Sequence, residues 1–438
     1  MSGSTQPLSD AIRACLPDRP FSVELWDGST VPATRAGPAV RLRSPDAIGH
    51  VLRAPGELGI GRAYVCGELE VDDLDATLGL LGRWRAPLSV AQKARLLVAA
   101  LRATGLRRRP PPPAAELQPA RRRHSRNRDA AAVRHHYDVS NEFFALFLDE
   151  SMTYSCALFS TGAETLEEAQ AAKLDLICRK LDLRPGQRLL DIGCGWGSLA
   201  IHAARHYEVD VQGITLSPAQ ASLGRERVAS AGLADRVELS VTDYRDLGAD
   251  SFDAIASIGM AEHVGASQID DYARQVASVL RPGGRALNHA IAHIPAQPGG
   301  AHIAGPFSDR YVFPDSEVLN LSRVQLAFER AGMESLHIES LHLDYAETLR
   351  QWALRLDEHL EEAERLVGPE RLRVWRLYLR AARNSFETGQ NGVYQLLCSD
   401  PLTARSAGPP GQLETDSRAP SADSTRSATA APVSPTSS

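Results

Sequence analysis

The ten residues from Leu189 to Ser198, LLDIGCGWGS, are the part of this sequence best suited to hold a small charged molecule. An apolar run leads into Asp191; Gly193, Gly195 and Gly197 follow, and a helical segment comes after them. Glycines at such places let the backbone turn sharply and approach a ligand closely. The spacing G-x-G-x-G differs from the dinucleotide fingerprint G-x-G-x-x-G. No Gly-Lys-Ser/Thr follows, as a phosphate-binding loop would require. A glycine-rich turn can also serve structure alone, so the elements around it decide its meaning.

Those elements alternate. QRLLDIG, VDVQGITL, RVELSVTD, FDAIASIGM and GRALNHAIA are short apolar runs with β-branched residues, and helical segments such as SLAIHAARHY lie between them. This order, from about residue 129 to 295, predicts an α/β domain: a Rossmann-like, parallel-rich sheet with helices on both faces. In such a sheet ligands bind at the carboxyl ends of the strands. Asp191 stands at one of those ends and can accept hydrogen bonds from an amino group. That suits the aminoacyl end of S-adenosylmethionine, which carries an ammonium and no phosphate. The next strand ends carry Thr215 and Gln220, then Thr242, Asp243 and Tyr244, to meet ribose and adenine. Residues 315–397 read as largely helical. They include TLRQWALRLDEHLEEAERL, whose Leu349, Trp352, Ala353, Leu356 and Leu360 recur at helical spacing and face either the core or an acyl channel.

The flanks are different. Residues 1–101 read as a small mixed domain, with FSVELWDGST as an edge strand ending in an Asp27-Gly28 turn, PDAIGHVLRAPGEL helical and GRAYVCGELEV extended. Residues 102–128 hold nine arginines, four consecutive prolines and one acidic residue, Glu116, which predicts an extended linker. The arginines either stay solvated or tether the protein to anionic lipid headgroups. The methyltransferase-like domain is expected over 129–400. The tail, 401–438, is rich in Ser, Thr, Ala, Pro and Gly, has no aromatic residue, and is expected to be disordered. The net charge of −6 argues against a nucleic-acid partner. Six cysteines without a C-x-x-C pair fit reduced thiols in the cytoplasm. No apolar leader or span of membrane length is evident, so a lipid substrate would be met peripherally, at the inner face of the membrane.

Six segments together resemble one family. HHYDVSNEFFALFLDESMTYSCALF, LLDIGCGWGS, GITLSPAQ, DYRDL, SIGMAEHVG and LNHAIA occur in the order found in cyclopropane-fatty-acyl-phospholipid synthases. The likeness covers roughly residues 130–397. It implies a class I methyltransferase fold and S-adenosylmethionine contacts from Tyr154, Ser155, Gly193, Gly195, Thr215, Leu216 and Gln220. It also implies a bicarbonate ion beside the transferred methyl group, held by Cys156, Glu262, His289, Tyr345 and a backbone group of Ile291. The family string HTI is HAI here, with the His-to-Ile spacing intact.

The chemistry asks for such a set. An alkene carbon that takes the sulfonium methyl becomes a carbocation, and ring closure then needs a base within hydrogen-bond reach in a water-excluding site. The resemblance implies an unsaturated phospholipid acyl chain as substrate and a cyclopropane fatty acid as product. The same transfer followed by a hydride shift would give a methylene branch, which a separate reductase could saturate. An inactive lipid-binding module and a methyltransferase for a soluble molecule are the other readings. A homodimer is left open. His135, His136, His263 and His293 follow no metal-ligand spacing, so no metal is expected.

Overall fold

The computed structural model describes residues 5–84, 86–105, 110–117, 140–248, 251–294, 302–303 and 305–400. The five apolar runs become strands β1 (Arg188–Ile192), β2 (Asp210–Thr215), β3 (Val237–Val241), β4 (Phe252–Ile258) and β5 (Leu280–His293). Two more, β6 (Glu334–Ser340) and β7 (Asn391–Ser399), complete a sheet ordered β6-β7-β5-β4-β1-β2-β3. Neighbours pair in parallel except β7, which runs against both β5 and β6. Strands β1 and β4 are buried along most of their length, which is why they read as continuous apolar runs. The chain runs from β1 outward to β2 and β3, then returns to lay β4 on the other side of β1. That reversal opens a crevice at the carboxyl ends of β1 and β4. The glycine loop follows β1 and the turn holding Glu262 follows β4, so topology brings both to one place.

The segment 315–397 is not helical throughout. Helices Leu321–Arg330, His342–Glu358 and Leu360–Glu387 alternate with β6 and β7. ESLHIES alternates between exposed and half-buried positions at the sheet edge, so it carries little apolar signal. NGVYQLLCS becomes a strand through pairing with β5 along its length, a contact distant in sequence. The last helix is interrupted at Gly368 (φ 77°, ψ 164°), just before Pro369.

The N-terminal region sets helices against a four-stranded sheet. Strand Ser22–Glu24 turns back at Gly28 (φ 83°) to pair with Thr30–Val31, but it also pairs with Ala39–Leu42 and is interior rather than an edge. GRAYVCGELEV is extended only at Leu69–Val71; its first half belongs to helix Glu57–Val65. Gly59 and Gly61 weaken the helical signal there, yet close packing needs them. A Cβ at Gly61 would lie 2.3 Å from the Phe307 ring, and one at Gly59 2.2 Å from the Ala54 carbonyl oxygen.

Helix Val90–Thr104 runs past residue 101. In the segment that follows, Glu116 is buried rather than solvated. It accepts from Arg62 Nε and Nη2, both at 2.6 Å, from Tyr311 Oη at 2.9 Å and from Arg310 Nη1 at 3.3 Å. This ties the small domain to helix Pro306–Tyr311 of the sheet domain, because a buried carboxylate needs cations from both sides. Arg107, Arg108, Arg109, the arginines from 121 to 128 and the tail 401–438 lie outside the described residues.

Candidate active site

The crevice holds two adjoining cavities of about 580 Å³ and 100 Å³. Gly193, Gly195 and Gln220 line both, so they are halves of one site. Gly193 (φ 82°) and Gly195 (φ 54°) lie in the left-handed region. A Cβ at Gly193 would press on the Met260 side chain at 2.8 Å, whereas one at Gly195 would meet nothing within 4 Å. Gly195 therefore faces ligand space. Gly197 (φ 81°) lines neither cavity; it caps helix Ser198–Tyr207 and packs on Leu239.

In the smaller half, Thr215 Oγ1 donates to Gln220 Oε1 at 2.9 Å, and Ser217 Oγ caps the helix by accepting from the Gln220 amide at 3.3 Å. Leu216, Thr242 and Tyr244 complete the wall. Asp243 is placed differently from the expectation: it lines neither cavity, and Arg245 binds its carboxylate at 2.8 and 2.6 Å. In the larger half, Asp191 is buried, and desolvation pushes its carboxyl up to about 7 against the pull of the Lys173 charge.

Lys173 escaped the sequence reading. It lies within the buried stripe Leu166, Ala169, Gln170, Lys173, Leu174, Ile177 of helix Leu166–Lys180, and a lysine on an apolar stripe was the available signal. Burial lowers it to about 8. Its Nζ donates to Ser155 Oγ at 2.7 Å, so that hydroxyl keeps its own hydrogen for another acceptor. Asp191, Ser155 and Lys173 line the same cavity and suit a ligand with neighbouring ammonium and carboxylate groups, as S-adenosylmethionine has; a ligand ammonium beside Asp191 would hold its carboxylate ionised. Tyr154 stacks on Trp352 at 5.1 Å and also lines the cavity.

The five residues of the implied bicarbonate cradle all line the larger cavity. Glu262 sits in the short helix Ala261–Val264, just after β4, and its Oε1 accepts from the Ile291 amide at 2.6 Å. The Ile291 N–H is thus given to Glu262 here. Glu262 Oε2 is buried and has no hydrogen-bond partner among the described residues. Burial raises its carboxyl to about 7. His289, on β5, is buried and held down to about 3 by desolvation and by the charges of Lys173 and Lys180, so it is neutral. Lys180 Nζ donates to Gln395 Oε1 at 2.6 Å, which turns the Gln395 amide nitrogen toward His289 Nδ1 at 3.3 Å. Nδ1 then accepts, and Nε2 carries the proton toward the cavity. That Nε2 is also buried without a partner among the described residues.

Cys156 is buried, and desolvation keeps it a thiol, pointing at the Ala157 and Leu341 carbonyls at 3.1 and 3.6 Å. Tyr345 reaches the site because its helix is pinned to the Cys156 loop. Asp344 accepts from the Phe159 and Ser160 amides, each at 2.7 Å, and Thr348 accepts from the Ala157 amide at 3.0 Å. A carboxylate acceptor and an imidazole N–H donor, both without partners among the described residues, fit an ion that can donate one hydrogen bond and accept others. Bicarbonate is such an ion.

The rest of the wall is apolar and was largely missed. Trp196, Phe307, Phe313, Tyr378 and Phe386 line it, while of the predicted helical stripe only Leu349 does; Trp352, Ala353 and Leu356 pack in the core. Glu57 of the small domain also reaches the cavity and accepts from the Phe307 amide at 3.3 Å. Among the described residues no His, Cys, Asp and Glu cluster could hold a metal ion.

The family model for mycolic acid cyclopropane synthetase matches residues 124–396. A probable fatty acid methyltransferase of Pseudomonas putida is 40% identical over 389 residues, covering 87% of this chain and 92% of that one. The cyclopropane-fatty-acyl-phospholipid synthase of Escherichia coli is 34% identical over 380 residues, covering 86% and 92%. The solved mycolic acid cyclopropane synthase CmaA1, complexed with SAH and CTAB, superposes with a TM-score of 0.58 at 32% identity, over 61% of this chain and 97% of that chain.

Proposed function

Since the chain belongs to the cyclopropane synthase family of S-adenosylmethionine-dependent methyltransferases, we propose that it alkylates the double bond of an unsaturated phospholipid acyl chain and closes a cyclopropane ring. The observation that carries this reading is a pair of buried atoms without hydrogen-bond partners among the described residues, Glu262 Oε2 and His289 Nε2, in a cavity that Cys156 and Tyr345 also line.

Gly193, Gly195, Asp191, Ser155, Tyr154, Thr215, Leu216, Gln220 and Tyr244 hold the cofactor, which supplies the electrophilic methyl group. Glu262, His289, Cys156 and Tyr345 hold bicarbonate, which supplies the base oxygen. Glu262, ionised as pH rises through about 7, would accept the hydrogen of that anion's own O–H, which offsets the repulsion between the two charges. Neutral His289 donates through Nε2 without adding charge. Trp196, Phe307 and Phe386 keep water from the carbocation and seat the acyl chain. Ring closure ends with loss of one proton from the transferred carbon.

The Pseudomonas relative's name, probable fatty acid methyltransferase, specifies no ring and is equally compatible with a second product, a methylene branch that a reductase later saturates. Both products begin with the same transfer and lose one proton. A substrate deuterated at both alkene carbons separates them. The ring keeps one deuterium on each carbon, whereas a branch carries both on one carbon after migration. Mass spectrometry and NMR of the product are expected to show unmigrated label; migrated label would overturn the ring. Protein contact with the membrane is peripheral in this reading: among the described residues no helix is long and apolar enough to cross one.

A further inference from the structure

Helix Val90–Thr104 is apolar on two faces and packed on one. Its inner face sets Leu96, Ala99, Ala100 and Ala103 into the core of the small domain. On its outer face Val90, Leu97, Val98 and Leu101 are 84%, 49%, 45% and 42% exposed. At about 100° per residue, positions 90, 94, 97 and 101 form one stripe, with 98 at its edge. A surface helix ordinarily turns charge to water there. Here the charges flank the stripe instead: Lys93 on one side, Arg95 and Arg102 on the other. The helix has no acidic residue. Between Asp75 and Glu116 the sequence carries eight lysines and arginines and no aspartate or glutamate.

We propose that this helix docks the protein on an anionic lipid surface. Its leucines and valines enter the boundary between headgroups and acyl chains, and its cations stay at the level of the lipid phosphates. The inference rests on the reading that the substrate is a membrane acyl chain. Charge decides the occupant. A second copy pairing through the same face would set Lys93, Arg95 and Arg102 against their own copies with no acidic residue on the helix to offset them, whereas an anionic leaflet neutralises them. The helix that precedes it in the chain also reaches toward the site. Helix Leu74–Arg83, with Leu81 53% exposed, packs against helix Leu360–Glu387 through Asp75, which binds Arg380 at 2.9 Å and Arg383 at 3.5 Å. That long helix gives Tyr378 and Phe386 to the acyl cavity.

The test uses the full chain and phosphatidylcholine vesicles with and without phosphatidylglycerol, read by co-sedimentation. Leu97→Gln/Leu101→Gln is expected to lose at least about tenfold in affinity for the anionic vesicles, from the apolar area withdrawn. Lys93→Gln/Arg95→Gln/Arg102→Gln is expected to lose roughly a hundredfold at low salt, with the difference shrinking as salt rises. Both are expected to keep the wild-type melting temperature and wild-type turnover on detergent-dispersed unsaturated phospholipid, because the altered side chains are exposed and remote from the cavity. Wild-type vesicle affinity in either folded variant overturns the proposal. So does a dimer that the leucine variant converts to monomer while vesicle binding persists. If wild type binds vesicles through this helix but alkylates no lipid, the substrate reading fails and the docking face stands.

Discussion

The two ends of the crevice are built by different means. The end proposed to hold the cofactor depends on backbone: within one loop, Gly193 and Gly195 turn through the left-handed region, and Gly195 leaves space in the cavity that Asp191 also lines. The end proposed to hold bicarbonate and take up the proton depends on side chains from four separate places. Cys156 precedes a helix, Glu262 follows β4, His289 lies within β5, and Tyr345 is in the first turn of helix His342–Glu358. A backbone site is local and costs little to fold. A side-chain site of buried polar groups needs the whole domain and leaves atoms unpaired until ligand arrives. The two ends are therefore expected to fail differently when altered.

The largest expected effect is at Glu262. Glu262→Gln keeps an oxygen for the Ile291 amide but cannot share a proton. Turnover is expected to fall by about 10² or more, with cofactor affinity by calorimetry within about twofold of wild type. The pH profile sharpens this. The carboxyl titrates near 7, so wild-type turnover is expected to rise through that pH at constant bicarbonate, and the acid limb is expected to vanish in the variant. Stability moves the opposite way. A carboxyl raised from 4.5 to about 7 retains a proton in the folded state that the unfolded chain releases. Its stabilising contribution is full below 4.5 and is lost as pH rises through 7, by about 3 kcal/mol. The variant is thus expected to melt higher than wild type at pH 8. A lower melting temperature there would contradict the burial cost assigned to this side chain.

Gly195→Val attacks the other end. The β-branched side chain must adopt φ near 54° and fill space that the cofactor takes. Affinity for S-adenosylmethionine is expected to fall at least about tenfold, on the order of the 1–3 kcal/mol of strain and lost contact. Gly197→Ala is the control. It presses on Leu239 at 3.0 Å and lines no cavity, so it is expected to lower the melting temperature while leaving affinity unchanged in the folded protein. Equal affinity losses at the two glycines would erase the distinction between a ligand-facing turn and a packing turn.

The same contrast explains what could be read in advance. Strands β1 to β5 and the glycine loop were legible because each is local: an apolar run, then a turn residue, then a helix. The cradle residues were legible only through the family's spacing, since nothing near His289 or Cys156 in sequence announces a shared cavity. Strands β6 and β7 were missed because their pairing partners are distant in sequence and β6 alternates weakly. The extended reading of GRAYVCGELEV failed because Gly59 and Gly61 serve packing contacts rather than local conformation. Lys173 and Gln395 were missed for a related reason: each is a polar residue inside an apolar pattern, and its value lies in side chains distant in sequence, Ser155 for Lys173 and both Lys180 and His289 for Gln395.

Gln395 gives the smallest effect and the sharpest view of how the side-chain end is held. Its amide is fixed from behind by Lys180, which is itself paired with Glu339, and from in front by His289. Burial makes this chain directional. Lys180 can only donate, so the Gln395 oxygen faces it and the amide nitrogen must face His289. That assignment sets the imidazole tautomer whose Nε2–H points into the cavity. Gln395→Leu removes the device without touching the cavity wall. The imidazole can then carry its proton on either nitrogen, and only one form donates toward the anion. Turnover is expected to fall roughly tenfold, the scale of losing an outer orienting partner, with cofactor affinity and lipid KM unchanged. More bicarbonate is expected to restore part of the rate, because the defect lies in anion binding. Gln395→Glu places a carboxylate against both Lys180 and His289. It is expected to raise the imidazole's proton affinity and shift the pH profile upward, whereas a purely structural role would move neither readout. A Gln395→Leu protein with wild-type turnover at limiting bicarbonate would show that His289 keeps its tautomer without this partner.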